Sequence, residues 1–258
     1  MFVAPPHRPV ADTEEPRGPH PGRRLDRHRD LASLARLAER TRPVSSSQAR
    51  VLPVAPPLDG LFPDGSLRRG TTIVVSGPGR GTDADRTADG SVSVALALLA
   101  AASAAGSWCA LVGLAGLGAV AAHEVGIDLA RLAVVPRPDA AWAEATAALI
   151  DGVDLVVLFP PFPPRHAMAR RLVARARERR SVLVVVPGRV GWPDPPDLRL
   201  SIGEARWEGA GTGEGYLARR RMTVTATGRR SAALPRNHQL WLPSTTGGMA
   251  GGGPGGPT

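Results

Sequence analysis

Thr71-Thr72-Ile73-Val74-Val75 runs directly into Ser76-Gly77-Pro78-Gly79-Arg80-Gly81, and after a polar stretch the apolar run Ser91 to Ala102 begins. The first five residues are all β-branched, which predicts a short buried strand. The glycines predict a tight loop, and the apolar run a core helix. Strand, glycine loop and helix in this order surround a phosphate-sized anion with backbone N–H groups and a helix N-terminus. This stretch constrains the fold most, because it fixes three consecutive elements and the direction of the chain through them.

The side chains that do chemistry in such a loop are missing. A phosphate-transferring loop needs a lysine for the β- and γ-phosphates and an adjacent Ser or Thr for Mg²⁺. All 32 basic residues here are arginine, and Gly90-Ser91-Val92 stands where Gly-Lys-Thr would. The segment Thr82 to Asp89 lengthens the loop and carries Asp83, Asp85 and Asp89, whose charges repel a triphosphate, partly offset by Arg80 and Arg86.

Beyond the first helix the strand-helix alternation continues. Strands are predicted at Ser107–Gly113, Leu132–Val135, Val153–Phe159 and Ser181–Val186. The intervening helices cover Ala119–Val125, Ala140–Asp151 and Arg165–Arg180. Val153–Phe159 and Ser181–Val186 are nearly continuous apolar runs, the signature of strands covered on both faces. The fold class is therefore α/β, with a mainly parallel, doubly wound sheet. Ile73, Val75, Leu111, Val134, Val156, Leu158, Val184 and Val186 are expected in its core, with Leu96 and Leu99 packed on one face. After Pro187 the texture changes to the alternating segments Leu198–Ile202, Arg221–Thr227 and Gln239–Leu242, which predict β-segments added at the C-terminal edge.

Four stretches follow. Residues 1–29 are a Pro- and Arg-rich N-terminus expected to be disordered. Residues 30–57 form a helix and linker, residues 58–243 the core, and residues 244–258 a flexible Gly-rich tail. The N-terminus lacks a charged-then-apolar leader pattern, and the Ala-rich run after Ser91 reads as a core helix rather than a span, so the expected location is cytoplasmic, with no membrane partner.

A net charge of +9 points to an acidic partner such as DNA. The single cysteine, Cys109, excludes an internal disulfide and a cysteine metal cluster. The six histidines lack metal-ligand spacing, so no metal is expected.

The order of elements from Asp59 to Phe159 resembles the core of the bacterial RecA recombinase. It is closer still to the truncated ImuA-type relatives, including the actinobacterial ImuA′ proteins of the mutagenic DNA-repair cassette. The carrying residues are Leu58-Asp59-Gly60-Leu61-Phe62 with Gly65-Ser66-Leu67-Arg68-Arg69-Gly70, then Gly106–Val112, Val125–Leu132 and Val153–Leu158. The resemblance implies a RecA-like P-loop fold whose functional positions are degenerate. Ser91 and Val92 occupy the lysine and hydroxyl positions, Ala115 that of the water-activating glutamate, and Phe159 that of the aspartate ending the fourth strand.

The expected function is a non-catalytic adaptor in DNA damage tolerance, specifically translesion synthesis, that contacts a Y-family-like polymerase subunit and uses no cofactor. Two alternatives stand beside it: an ATP-dependent single-stranded-DNA-binding protein and a simple DNA-binding protein. Gly77, Gly79, Gly81, Gly90 and Ser91 form the vestigial nucleotide-binding loop, and no residue is assigned a catalytic role. Arg219, Arg220, Arg221, Arg236 and Trp241 are the candidate partner-binding residues. Arg165, Arg170, Arg171 and Arg175 form a second candidate surface for nucleic acid or a partner.

Overall fold

The structure, a computed structural model, describes residues 50–78, 89–188, 190–210, 215–229, 232–246 and 248–252. The N-terminal stretch 1–29, the helix expected after Asp30, and Gly79 and Gly81 lie outside the described residues.

A small hairpin comes first: β1 (Val51–Pro53) pairs antiparallel with β2 (Ser66–Arg68), and the short helix α1 (Pro56–Asp59) sits between them. The parallel strands follow: β3 (Thr72–Ser76), β4 (Cys109–Val112), β5 (Leu132–Val135), β6 (Leu155–Leu158) and β7 (Val182–Val185). The helices between them are α2 (Ser91–Ala104), α3 (Ala119–Glu124), α4 (Trp142–Gly152) and α5 (His166–Arg179). Three longer or later strands, β8 (Leu198–Ala210), β9 (Gly215–Gly228) and β10 (Arg236–Trp241), precede a two-residue β11 (Ala250–Gly251). The main sheet has the order β11-β10-β9-β8-β3-β7-β6-β4-β5. From β8 to β5 every pairing is parallel, and from β8 to β11 every pairing is antiparallel.

Both faces of the parallel part are covered, which explains its unbroken apolar strands. Alternate residues divide between two clusters. Ile73, Val75, Leu155, Val157, Val182 and Val184 pack with α2 on one face. Val74, Val156, Leu158, Leu183 and Val185 pack with α4 and α5 on the other. Helix α2 is apolar nearly all round because Leu52, Leu58, Leu61 and Leu67, from β1, α1 and β2, join its cluster beyond the sheet. At 14 residues it is too short for a membrane span, and no described helix is long and apolar enough to cross one.

Of the expected core residues, Val134 is misplaced: it is 40% exposed, while the other nine are buried. It lies on the edge strand β5, whose only neighbour is β4. Its strand neighbours Ala133 and Val135 turn into the covered cluster. The tail expected to be flexible also contains structure, since Ala250 and Gly251 pair with Trp241 and Leu240. Small residues suffice there, because backbone hydrogen bonds alone make the ladder.

Cys109 is fully buried in β4, and burial together with the nearby Asp154 charge pushes its thiol up to about 12. It is a core residue with an inert thiol. At the amino end of the sheet, Arg69 Nη1 donates to Asp154 Oδ1 at 2.6 Å, and Trp108 N donates to Asp154 Oδ2 at 3.0 Å. This buried ion pair fixes the lead-in segment against β4 and β6.

Replacing Leu158 with alanine should remove about 3 kcal/mol of stability, because a side chain with no exposed surface leaves a cavity in a close-packed sheet. Urea unfolding followed by circular dichroism checks this; a loss below about 1 kcal/mol would mean the strand is not central.

Candidate functional site

At the head of α2, beside the carboxyl end of β3, lies the protein's own carboxylate, Asp89. Gly77 follows β3, and Gly90, in the left-handed region with φ 90°, leads into α2. Asp89 Oδ1 accepts from Ser91 N at 2.8 Å and from Ser91 Oγ at 2.6 Å. A helix N-terminus leaves its first N–H groups without intrahelical partners, and a carboxylate answers both those donors and the helix dipole. The same side chain lies against Gly77: a Cβ there would be 2.3 Å from Asp89 Cγ and Oδ2. Any side chain at position 77 would displace Asp89.

Strands β8 and β9 close this position from the other side. β8 pairs with β3 only over Leu198–Ser201, and beyond that the β8–β9 ribbon runs past the carboxyl end of β3. Arg220 from the ribbon is 2% exposed. Its Nη2 donates to Ser93 Oγ at 2.6 Å, and its Nε donates to the Leu242 carbonyl at 3.0 Å. Its guanidinium stands 5.1 Å over the Trp207 ring. Burial lowers the Arg220 pKa, and the negative charge of Asp89 opposes that shift. Met222 completes the lid: a Cβ on Gly90 would lie 3.0 Å from Met222 Cε. Gly90 is therefore needed both for its backbone conformation and for this close approach.

Among the described residues, the chain leaves β4 through Gly113 and β6 through Phe159. Phe159 is buried after β6, and its carbonyl would be 2.0 Å from a Cβ on Gly113, which has φ 84°. Ala115 is an exposed turn residue. Among the described residues no group of three or more His, Cys, Asp or Glu side chains could hold a metal ion.

The expected loop residues Gly77, Gly90 and Ser91 thus come together, with Asp89 between them as their common contact. From the sequence, Asp89 counts only as a charge that repels a triphosphate. Its spacing two residues before the first helical residue was the available signal for a capping role.

The C-terminal candidates separate. Arg219, Arg220 and Arg221 lie in one strand, where successive side chains point to opposite faces, so they cannot form one surface. Arg219 and Arg221 share a face with Trp241, the first stacking at 4.2 Å and the second at 6.0 Å from the ring centre. Arg219 also pairs with Glu208, Nε to Oε2 at 3.0 Å. Arg220 is turned inward, which corrects its assignment as a partner-binding residue. Arg236 pairs in register with Ala226, and the alternation of β10 puts it on the face opposite Trp241. Exposed Trp207 and Leu217 on the ribbon are further surface residues the sequence reading missed, because bulges and shifted register hid the length of β8 and β9.

In the second group, Arg165, Arg170 and Arg171 are exposed on α5, whereas Arg175 is paired. Its Nε donates to Asp151 Oδ1 at 2.7 Å, its Nη2 contacts Asp151 Oδ2, and Arg179 joins the same carboxylate at 3.1 Å. Arg175 thus ties α5 to the end of α4 and is not free for a ligand. Partial burial pushes the Asp151 carboxyl up, but Arg175 and Arg179 outweigh it and hold the group below its ordinary value.

The family described as the MT3502 N-terminal domain matches residues 60–194. An uncharacterized protein of Mycobacterium tuberculosis, Rv3395c, is 45% identical over 100 residues, which cover 38% of this chain and 49% of that protein. The match thus spans about half the length of the relative.

Two outcomes follow from the geometry. Arg220→Ala should cost about 2–4 kcal/mol in urea unfolding, since it strips a buried cation from Ser93, the Leu242 carbonyl and the field of Asp89; a change within about 0.5 kcal/mol would mean the ribbon does not close over the head of α2. The depressed Asp151 pKa stabilises the fold above the ordinary carboxylate range, near 4, and that contribution is lost as pH falls through the lower folded value. Asp151→Asn should therefore cost roughly 0.5–1 kcal/mol at pH 7 and progressively less as acid protonates the native carboxylate. A difference that persists unchanged at pH 2 would contradict this.

Proposed function

The chain belongs to the family of the MT3502 N-terminal domain, and from that premise we propose that it is a non-catalytic adaptor of RecA-like fold that serves translesion synthesis through protein contacts. One observation carries the non-catalytic half of the reading. The place where a phosphate would sit is held by Asp89, bonded to Ser91, pressed on Gly77 and closed over by Arg220 and Met222. A nucleotide phosphate brought there would meet a carboxylate that the helix terminus already satisfies. Phosphoryl transfer also needs a lysine or its equivalent, a metal ligand and a group that orients the attacking water. Ser91, Phe159 and Ala115 stand in those three places.

The RecA-like part of the reading rests on Gly77, just after β3, lying against Asp89 at the head of α2, and on β6, followed by Phe159, lying two strands from β3 with β7 between. The process and the partner, a Y-family-like polymerase subunit in the cytoplasm, rest on the resemblance of residues 58–62, 65–70, 106–112, 125–132 and 153–158 to RecA and ImuA-type proteins. The contact surface in this proposal is the outer face of the antiparallel strands, where Arg219, Arg221 and Trp241 stack together. Tryptophan and arginine dominate interface hot spots, because each joins a large contact area to directional polar groups.

The test is capture of the purified polymerase subunit by the full chain, compared with Trp241→Ala and the exposed variant Arg221→Glu. The proposal expects at least a tenfold loss of affinity for both with unchanged thermal melting, and no ATP turnover by the wild type. Undiminished capture by both variants would move the interface elsewhere. Turnover of ATP that survives repurification would defeat the adaptor reading itself.

A further inference from the structure

At the opposite, amino-terminal edge of the sheet, a cavity of about 560 Å³ is lined by Arg50, Val51, Arg68, Arg69, Arg177 and Arg180. Five of its six lining residues are arginine and none is acidic. β1 and β2 bring in Arg50 and Arg68, the Arg50 carbonyl accepts from Arg69 N at 3.0 Å, and the end of α5 supplies Arg177 and Arg180. Gly70, with φ 77°, lets the chain pass close to the Arg177 backbone, where a Cβ would be 3.3 Å from its Cα.

Three features set this cluster apart from a solvated basic surface. The Arg69 side chain is 8% exposed, and only its Nη1 is used, on Asp154. Its Nε and Nη2 are buried without a hydrogen-bond partner among the described residues, an arrangement that folded proteins seldom keep unless something else answers the donors. Arg180 has φ 57°, the left-handed helix-ending position where glycine is favoured. An arginine placed there keeps a strained backbone and puts its charge at the cavity wall. Finally, the carboxylates do not balance the site. Asp154 pairs with Arg69, Asp64 lies 3.7 Å from Arg68, and Asp197 lies 3.6 Å from Arg177. Arg50 and Arg180 have no carboxylate partner among the described residues, which leaves two positive charges. Arg177 and Arg180 also answer the α5 dipole, but that role requires none of the other three arginines.

We propose that this cavity binds a phosphate group, and that it does so independently of the adaptor reading. A phosphate monoester carries close to two negative charges at neutral pH, and guanidinium forks match its oxygens in pairs. The cavity falls within the usual size range of small-ligand sites. A second cavity of about 460 Å³ shares Arg68, Arg69 and Arg177, and its wall includes Phe62, Leu67 and Ile73. That apolar wall suits the organic part of a phosphorylated molecule, so the ligand class is a nucleotide-like phosphate ester, either free or at the end of a nucleic-acid strand.

Calorimetric titration of the full chain with inorganic pyrophosphate tests this. The expected result is saturable one-to-one binding that weakens at least fivefold in Arg68→Ala and in Arg180→Gly. The glycine variant should melt at the same or a higher temperature, because it relieves the left-handed backbone. Arg137→Ala, at an exposed position outside the cavity, should bind as the wild type does. Competition then separates the sources: displacement of pyrophosphate by an oligothymidylate that carries a 5′-phosphate, but not by the same strand without it, assigns the site to a strand end, and displacement by thymidine monophosphate alone assigns it to a free nucleotide. Absence of saturable pyrophosphate binding at millimolar concentration would overturn the proposal. So would wild-type affinity in the Arg68 and Arg180 variants, or an equal loss in Arg137→Ala.

Discussion

A carboxylate at the head of a buried helix organises the carboxyl edge of this sheet. Asp89 satisfies the Ser91 amide and hydroxyl, occupies the concavity left by Gly77, and supplies the negative field in which the buried Arg220 is tolerated. A buried cation without such a partner would be strongly destabilising. Arg220 in turn bonds Ser93 on α2 and the carbonyl of Leu242, so one charge pair joins the first core helix, the ribbon and the segment after β10. The antiparallel strands are therefore part of the fold's closure as well as an added surface.

Much of the parallel half was legible because both faces of it are covered. Val153–Phe159 and Ser181–Val186 stand out as continuous apolar runs, and the structure puts their alternate residues into two separate clusters. The same logic failed for Val134, whose residue type matches Val156 but whose strand is the last in the sheet. Position within a sheet depends on strand order, which a strand's own residues do not encode. The ribbon was harder still. Glycines and charges fill Gly203 to Gly209, and tertiary pairing with β9 draws them into a thirteen-residue strand.

The site was legible in its components and not in its closure. Gly77, Gly90 and Ser91 marked the loop, but the inward turn of Arg220 follows from strand alternation and from the register that sets Trp207 opposite it. The arginines in general divide along the same line. Arg69, Arg175 and Arg220 are committed to carboxylates, hydroxyls or carbonyls inside the fold, whereas Arg170 and Arg171 face solvent. A net charge of +9 therefore overstates how much positive charge is available to a partner.

In the proposed reading, the Asp89 carboxylate takes the place of a phosphate between Gly77 and the head of α2. Amide resonances of Gly77, Gly90 and Ser91, followed by heteronuclear NMR during addition of Mg·ATP, test it at the position itself. The account predicts that these three amides stay unshifted to millimolar nucleotide. Saturable shifts centred on them, at the wild-type sequence, would contradict it.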